Sequence, residues 1–73
     1  MFIVYTKEGC PACETAKSAL VSKGIEHSAV KIGADITVDE FRKSFPDVRM
    51  VPFITNDAGT VGGIHELTKL LAA

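Results

Sequence analysis

Both cysteines of this 73-residue chain fall in one stretch, Cys10-Pro11-Ala12-Cys13, where an apolar run gives way to a helical pattern. Ahead of it, Phe2-Ile3-Val4-Tyr5-Thr6 is apolar or β-branched throughout, as a strand covered on both faces must be. Behind it, Ala16, Ala19 and Leu20, with Val21 at the margin, recur at helical spacing as far as Lys23, and Gly24 follows as a stop. Pro11 suits the first helical position, because its fixed φ matches the helix and its missing N–H had no partner there to lose. Cys10 therefore reads as the helix cap. Its sulfur would sit where the unpaired N–H groups of the first turn converge, and their partial positive charge favours thiolate over thiol. Cys13, one turn on, is close enough to bond to that sulfur or release it with little backbone movement.

The remaining elements follow from punctuation and period. His27-Ser28-Ala29-Val30-Lys31-Ile32 alternates in part and predicts a second strand, so the first 32 residues make a βαβ unit with parallel strands. Thr37 with Glu40 three residues later is a capping-box signature, which predicts a helix over Val38 to Phe45 that buries Phe41 and Phe45. Pro46 and Asp47 close it. Met50 and Val51 lead to a strand opened by Pro52 over Phe53-Ile54-Thr55, a turn over Asn56-Asp57-Ala58-Gly59, and a return strand over Thr60-Val61-Gly62. Ile64, Leu67, Leu70 and Leu71 give a helical stripe from Gly63 onwards. The expected order is β-α-β-α-β-β-α in a single α/β domain over residues 1–73.

Size and charge narrow the function. A domain this small has a thin core, yet a Cys10–Cys13 bridge would close too short a loop to restrain the unfolded chain, so its purpose reads as chemical. Hydrophobic content of 47% indicates a globule, and a net charge of −1 with no basic block gives no reason to expect nucleic acid or an acidic membrane surface as partner. No stretch approaches the ~18 apolar residues of a membrane span, and Met1 runs directly into the first strand without a signal-like segment. One cysteine pair in such a chain fits a reducing cytoplasm, where pairs of this kind are catalytic or metal-binding. A closed zinc site would need four ligands. The remaining candidates, His27 and His65, stand on a predicted strand and a predicted helix start, at spacings that match no zinc finger or knuckle. No metal ligand is assigned.

A Cys-x-x-Cys at a strand-to-helix junction in a βαβ unit reads as a thioredoxin-like redox site. Cys10 is expected to attack a substrate disulfide, with Lys7 as a nearby positive charge, and Cys13 to resolve the resulting mixed disulfide.

Val4-Tyr5-Thr6-Lys7 ahead of Cys10-Pro11-Ala12-Cys13, then Met50-Val51-Pro52 and Gly62-Gly63, resemble the glutaredoxins, particularly the compact ones of bacteria and bacteriophages. Thioredoxins proper are less similar: no Trp precedes the first cysteine and no Gly-Pro separates the pair. The resemblance implies the thioredoxin-like fold, a mixed four-stranded sheet with helices on both faces. It implies a glutathione-dependent thiol–disulfide oxidoreductase that reduces protein disulfides or glutathione mixed disulfides, with ribonucleotide reductase as the family's best-known protein substrate. Glutathione would be co-substrate, no cofactor would be permanently bound, and the protein would act as a cytoplasmic monomer.

Site residues are implied in the same way. The proline matching Pro52 is cis in the family and faces the cysteine pair, so that the backbone of Val51 can hydrogen-bond glutathione. Lys7 matches a lysine that contacts the glycyl carboxylate. The segment Gly63-Ile64-His65 matches a helix start whose amides can bind the γ-glutamyl carboxylate. Two positions depart from the pattern. His65 stands where many members carry an Asp that pairs with the glutathione ammonium, and Ala12 stands where a Tyr contact surface is common. Glu66 is a partial stand-in for that acid, although its ordinary role is a favourable charge in the first turn. Two other readings stay open: a glutaredoxin-like electron donor reduced by thioredoxin reductase, and a module holding an iron–sulfur cluster through Cys10 and glutathione.

Overall fold

The computed structural model describes residues 1–72. Seven elements follow in the expected order: β1 (Phe2–Thr6), α1 (Pro11–Ser22), β2 (His27–Lys31), α2 (Val38–Ser44), β3 (Phe53–Asn56), β4 (Gly59–Gly62) and α3 (Ile64–Ala72). The strands form one sheet in the order β2-β1-β3-β4. β1 pairs with β2 in parallel, as the βαβ spacing requires, and with β3 antiparallel, while β3 and β4 form the hairpin. The sheet is therefore mixed, with β1 and β3 in its middle.

Both faces are covered. On one side Val4, Ala16, Leu20, Ile54 and Leu67 are fully buried between β1, β3, α1 and α3. Removing a side chain of Leu or Ile size from water contributes about 2 kcal/mol. On the other side α2 lays Phe41 and Phe45 against Tyr5 of β1 and Phe53 of β3, with ring centroids 4.8 to 6.1 Å apart. Tyr5 and Phe53 are direct cross-strand partners, so the cluster ties α2 to the two central strands. The capping box of α2 is complete: Thr37 Oγ1 accepts the Glu40 N–H and Glu40 Oε1 accepts the Thr37 N–H, both at 3.0 Å.

Some boundaries and faces differ from the sequence reading. α2 ends at Ser44 and Phe45 caps it, because Pro46 holds the preceding residue out of the helical region. β2 ends at Lys31, and Ile32 instead forms an isolated bridge to Ile36. Val21 is 67% exposed, since the residue after buried Leu20 lies about 100° around the helix from it. Leu70 is 46% exposed: α3 meets the core through Ile64, Leu67 and Leu71, a narrower stripe than the run of leucines suggested.

The antiparallel β1–β3 pairing places the site. With Tyr5 opposite Phe53, the end of β1 and the start of β3 lie at the same end of the sheet. The turn that leads to Cys10 and the Val51-Pro52 segment are thereby brought together.

Candidate active site

β1 delivers the chain into a turn over Lys7, Glu8 and Gly9, and Gly9 has φ +67°, a backbone state that favours glycine. Cys10 follows in an extended conformation, φ −109° and ψ 98°, as the N-cap of α1, with Pro11 in the first helical turn. The Cys13 N–H donates to Cys10 Sγ at 3.1 Å, so the sulfur occupies the position that a Ser or Asp oxygen takes at an ordinary cap. The pair is joined as a disulfide with Cα atoms 5.3 Å apart. The two sulfurs differ in access: Cys13 is 1% exposed among core side chains, whereas Cys10 is only partly buried.

The Val51–Pro52 peptide bond is cis. Pro52 is buried and leads into β3, and the carbonyl oxygen of Val51 lies 4.0 Å from Cys10 Sγ. Lys7 and Val51 line one cleft of about 770 Å³. Among the described residues Lys7 forms no ion pair, and its neighbour Glu8 accepts a hydrogen bond from Lys31 Nζ at 2.9 Å. This bond, with the attraction of the Lys31 charge, holds the Glu8 carboxyl below the usual carboxylate range.

α3 closes the far side. A side chain built at Gly63 would come 3.7 Å from the Pro52 carbonyl oxygen, so the start of α3 lies directly beside the cis segment. Of the three residues expected there, Ile64 turns its side chain toward the core and His65 is exposed. The Gly63 N–H is already taken: it donates to Glu66 Oε1 at 2.8 Å. Hydrogen bonds from the amides of Gly63 and Glu66 itself pull the Glu66 carboxyl below its usual range. Ala12 is half-buried on the first turn of α1 and adds little surface.

The structure thus brings Cys10, Cys13, Val51, Pro52, Lys7 and Gly63 to one end of the sheet. It gives Ile64 a core contact and places His65 at the surface. The sequence reading passed over Arg42 and Arg49, which line the cleft with Lys7. Glu66, expected as a partial stand-in for the missing acid or as a first-turn charge, accepts the Gly63 N–H; the three-residue spacing from Gly63, the same as from Thr37 to Glu40, is the signal for that bond.

A family model described as Glutaredoxin matches residues 2–58. The chain belongs to the glutaredoxin family. Glutaredoxin 3 of Escherichia coli strain K12 is 36% identical over 67 residues, covering 92% of this chain and 81% of that protein. The solution structure of a glutaredoxin from Brucella melitensis superposes with a TM-score of 0.75 at 32% identity, over 94% of this chain and 75% of that one. Reduced Escherichia coli glutaredoxin, at 24% identity, has the same fold with a TM-score of 0.75, over 97% of this chain and 92% of that one. This glutaredoxin is a thiol–disulfide oxidoreductase with a thioredoxin-like fold. Among the described residues no helix is long and apolar enough to cross a membrane.

Proposed function

We propose that this glutaredoxin reduces protein disulfides and glutathione mixed disulfides, with glutathione as its reductant. One observation carries the reading: the partly buried Cys10 caps α1 and its sulfur accepts the Cys13 N–H, while Cys13 is held behind it at 1% exposure. In the reduced protein the Cys10 thiolate attacks one sulfur of the substrate disulfide and expels the other as a thiolate. The Cys13 thiol then gives up its proton, attacks Cys10 and releases the second substrate sulfur, leaving the Cys10–Cys13 disulfide and a substrate reduced by two electrons. Two glutathione thiols reverse these steps and leave as glutathione disulfide.

Glutathione would lie along the cis segment, with its backbone on Val51, its glycyl carboxylate toward Lys7 and its γ-glutamyl end toward Gly63, Ile64 and His65. Ribonucleotide reductase is a protein substrate suggested by the family alone. The protein would act as a monomer, in the cytoplasm, with no permanently bound cofactor.

A second reading is favoured by the Gly63 N–H being held by Glu66. A helix start that satisfies its own donor has less to offer a γ-glutamyl carboxylate, and a thioredoxin reductase would then supply the electrons. NADPH consumption separates the two. Turnover is expected with glutathione and glutathione reductase; turnover with thioredoxin reductase alone would replace the first reading by the second.

A further inference from the structure

The cleft beside Val51 has a wall charge that the overall composition does not explain. The chain carries nine acids against eight bases, yet Lys7, Arg42 and Arg49 all line this cleft and no acidic residue does. Among the described residues the ion pairs are Met1 with Asp57, Glu14 with Lys17 and Glu8 with Lys31, so none of the three cleft cations is neutralised within the fold. The same wall exposes apolar surface: Met50 is 79% exposed and Val38 is 46% exposed. A cationic groove with an apolar floor suits a mixed occupant, one that carries both carboxylates and an aliphatic or aromatic side chain.

Position narrows the occupant further. Arg49, Met50 and Val51 are consecutive, and the Val51 carbonyl is 4.0 Å from Cys10 Sγ. An extended chain advances roughly 3.3 Å per residue. A polypeptide whose cysteine sulfur is being exchanged at Cys10 therefore passes Met50 and Arg49 within about three residues of that cysteine. We propose that this cleft is a docking groove for a disulfide-bearing protein substrate, and that it selects an extended segment with carboxylates and an apolar side chain close to the reducible cysteine. The proposal rests on the thiol-exchange role given to Cys10 above, but not on glutathione as the reductant. Arg42 and Arg49 are its specificity determinants; they steer the substrate and do not touch the reacting sulfurs.

The test is a single-turnover measurement on the full chain. The protein is reduced with dithiothreitol, freed of it, and mixed with synthetic disulfide peptides whose cysteines are flanked by Glu and Leu, by Lys and Leu, or by Ser and Leu. Acid-quenched thiol trapping with mass spectrometry gives the rate of Cys10–Cys13 oxidation. The Glu peptide is expected to react about tenfold faster than the Lys peptide at low ionic strength. The difference should shrink as salt is raised to about 0.5 M. The net charge of −1 would favour the opposite order, so an acidic preference must come from local charge. Arg42→Glu/Arg49→Glu should invert the preference, each rate being read relative to that of the neutral Ser peptide on the same variant. Equal rates for the three peptides, as expected if the groove serves glutathione alone, would overturn the proposal. So would an acidic preference that survives the double charge reversal. Glutathione takes no part in this reaction, so loss of turnover in the coupled glutathione assay would remove the reductant reading and leave these rates as they are.

Discussion

Cys10 Sγ and the carbonyl oxygen of Val51 lie 4.0 Å apart, although the two residues are 41 positions apart in the chain. The antiparallel pairing of β1 with β3 produces this meeting, because it sets Tyr5 opposite Phe53 and so aligns the segments just outside each strand. The cap places the Cys10 sulfur at the start of α1, and the Val51-Pro52 segment lies beside it. Under the proposed function, a substrate bound through its sulfur at Cys10 would lay its backbone along Val51.

The unequal burial of the two sulfurs predicts unequal consequences of removing them. Cys10→Ser should abolish exchange with every disulfide, since Cys13 at 1% exposure cannot reach an incoming sulfur. Cys13→Ser should keep activity on glutathione mixed disulfides, which need only the first sulfur when glutathione itself resolves the intermediate. Rates on a glutathionylated peptide check both. Equal loss in the two variants would contradict the assigned order of attack.

Thr37 offers a measure of how far the site depends on α2. Its hydroxyl closes the capping box of a helix only seven residues long, and that helix carries Phe41 and Phe45 onto Tyr5 and Phe53. Thr37→Ala should cost about 1 kcal/mol of stability, the usual loss for such a cap, read from urea unfolding. Thr37→Ser should recover most of it.

Much of this architecture was legible because local signals agreed with each other. Pro11 at a helix start, Thr37 three residues before Glu40, and Gly24 after a helical run each mark a boundary by backbone chemistry that no tertiary contact overrides. Cys10 and Cys13 could be placed for the same reason. Faces of helices were harder to read. Val21 and Leu70 are apolar but exposed, because a one-residue step around a helix decides burial and the width of the facing surface is set by elements distant in sequence. The cationic cleft was invisible for a related reason: Lys7, Arg42 and Arg49 are scattered along the chain and meet only once α2 has folded over the sheet.

Glu66 links stability to pH. Its carboxyl is held below the ordinary value of 4.5, first by the Gly63 amide and then by its own. A carboxylate whose folded pKa is depressed stabilises the fold above its unfolded pKa and loses that contribution as pH falls through the folded value. Glu66→Gln keeps an acceptor but not the charge. The variant should melt below the parent at neutral pH, and the gap should close on acidification from about pH 5 toward pH 3. If glutathione lies as proposed, with its γ-glutamyl end toward Gly63, removing this negative charge frees the same amide for its carboxylate, and the KM for a glutathione mixed disulfide should fall severalfold. An unchanged KM would separate Glu66 from glutathione recognition.

Gly62 is the position on which that arrangement turns. It ends β4 opposite Ile54 with φ +121°, a region L side chains rarely adopt, and an added Cβ would lie 2.8 Å from Glu66 Cγ and 2.9 Å from Oε1. Two separate penalties follow for Gly62→Ala. The backbone strain is unavoidable, and where the native φ is unsuitable such a substitution costs more than about 1 kcal/mol. The clash can be relieved, because Glu66 can swing away, but only by releasing the Gly63 N–H that it accepts at 2.8 Å. Gly62→Ala should therefore already contain the loss of the Glu66 bond. Adding Glu66→Ala to it should cost less than Glu66→Ala costs alone, a subadditive cycle expected of residues in direct contact. Urea unfolding of the two single variants and the double variant gives the coupling. Strict additivity would mean that Glu66 keeps its bond in the Gly62→Ala variant, and that the close packing of Gly62 against its side chain has no energetic consequence.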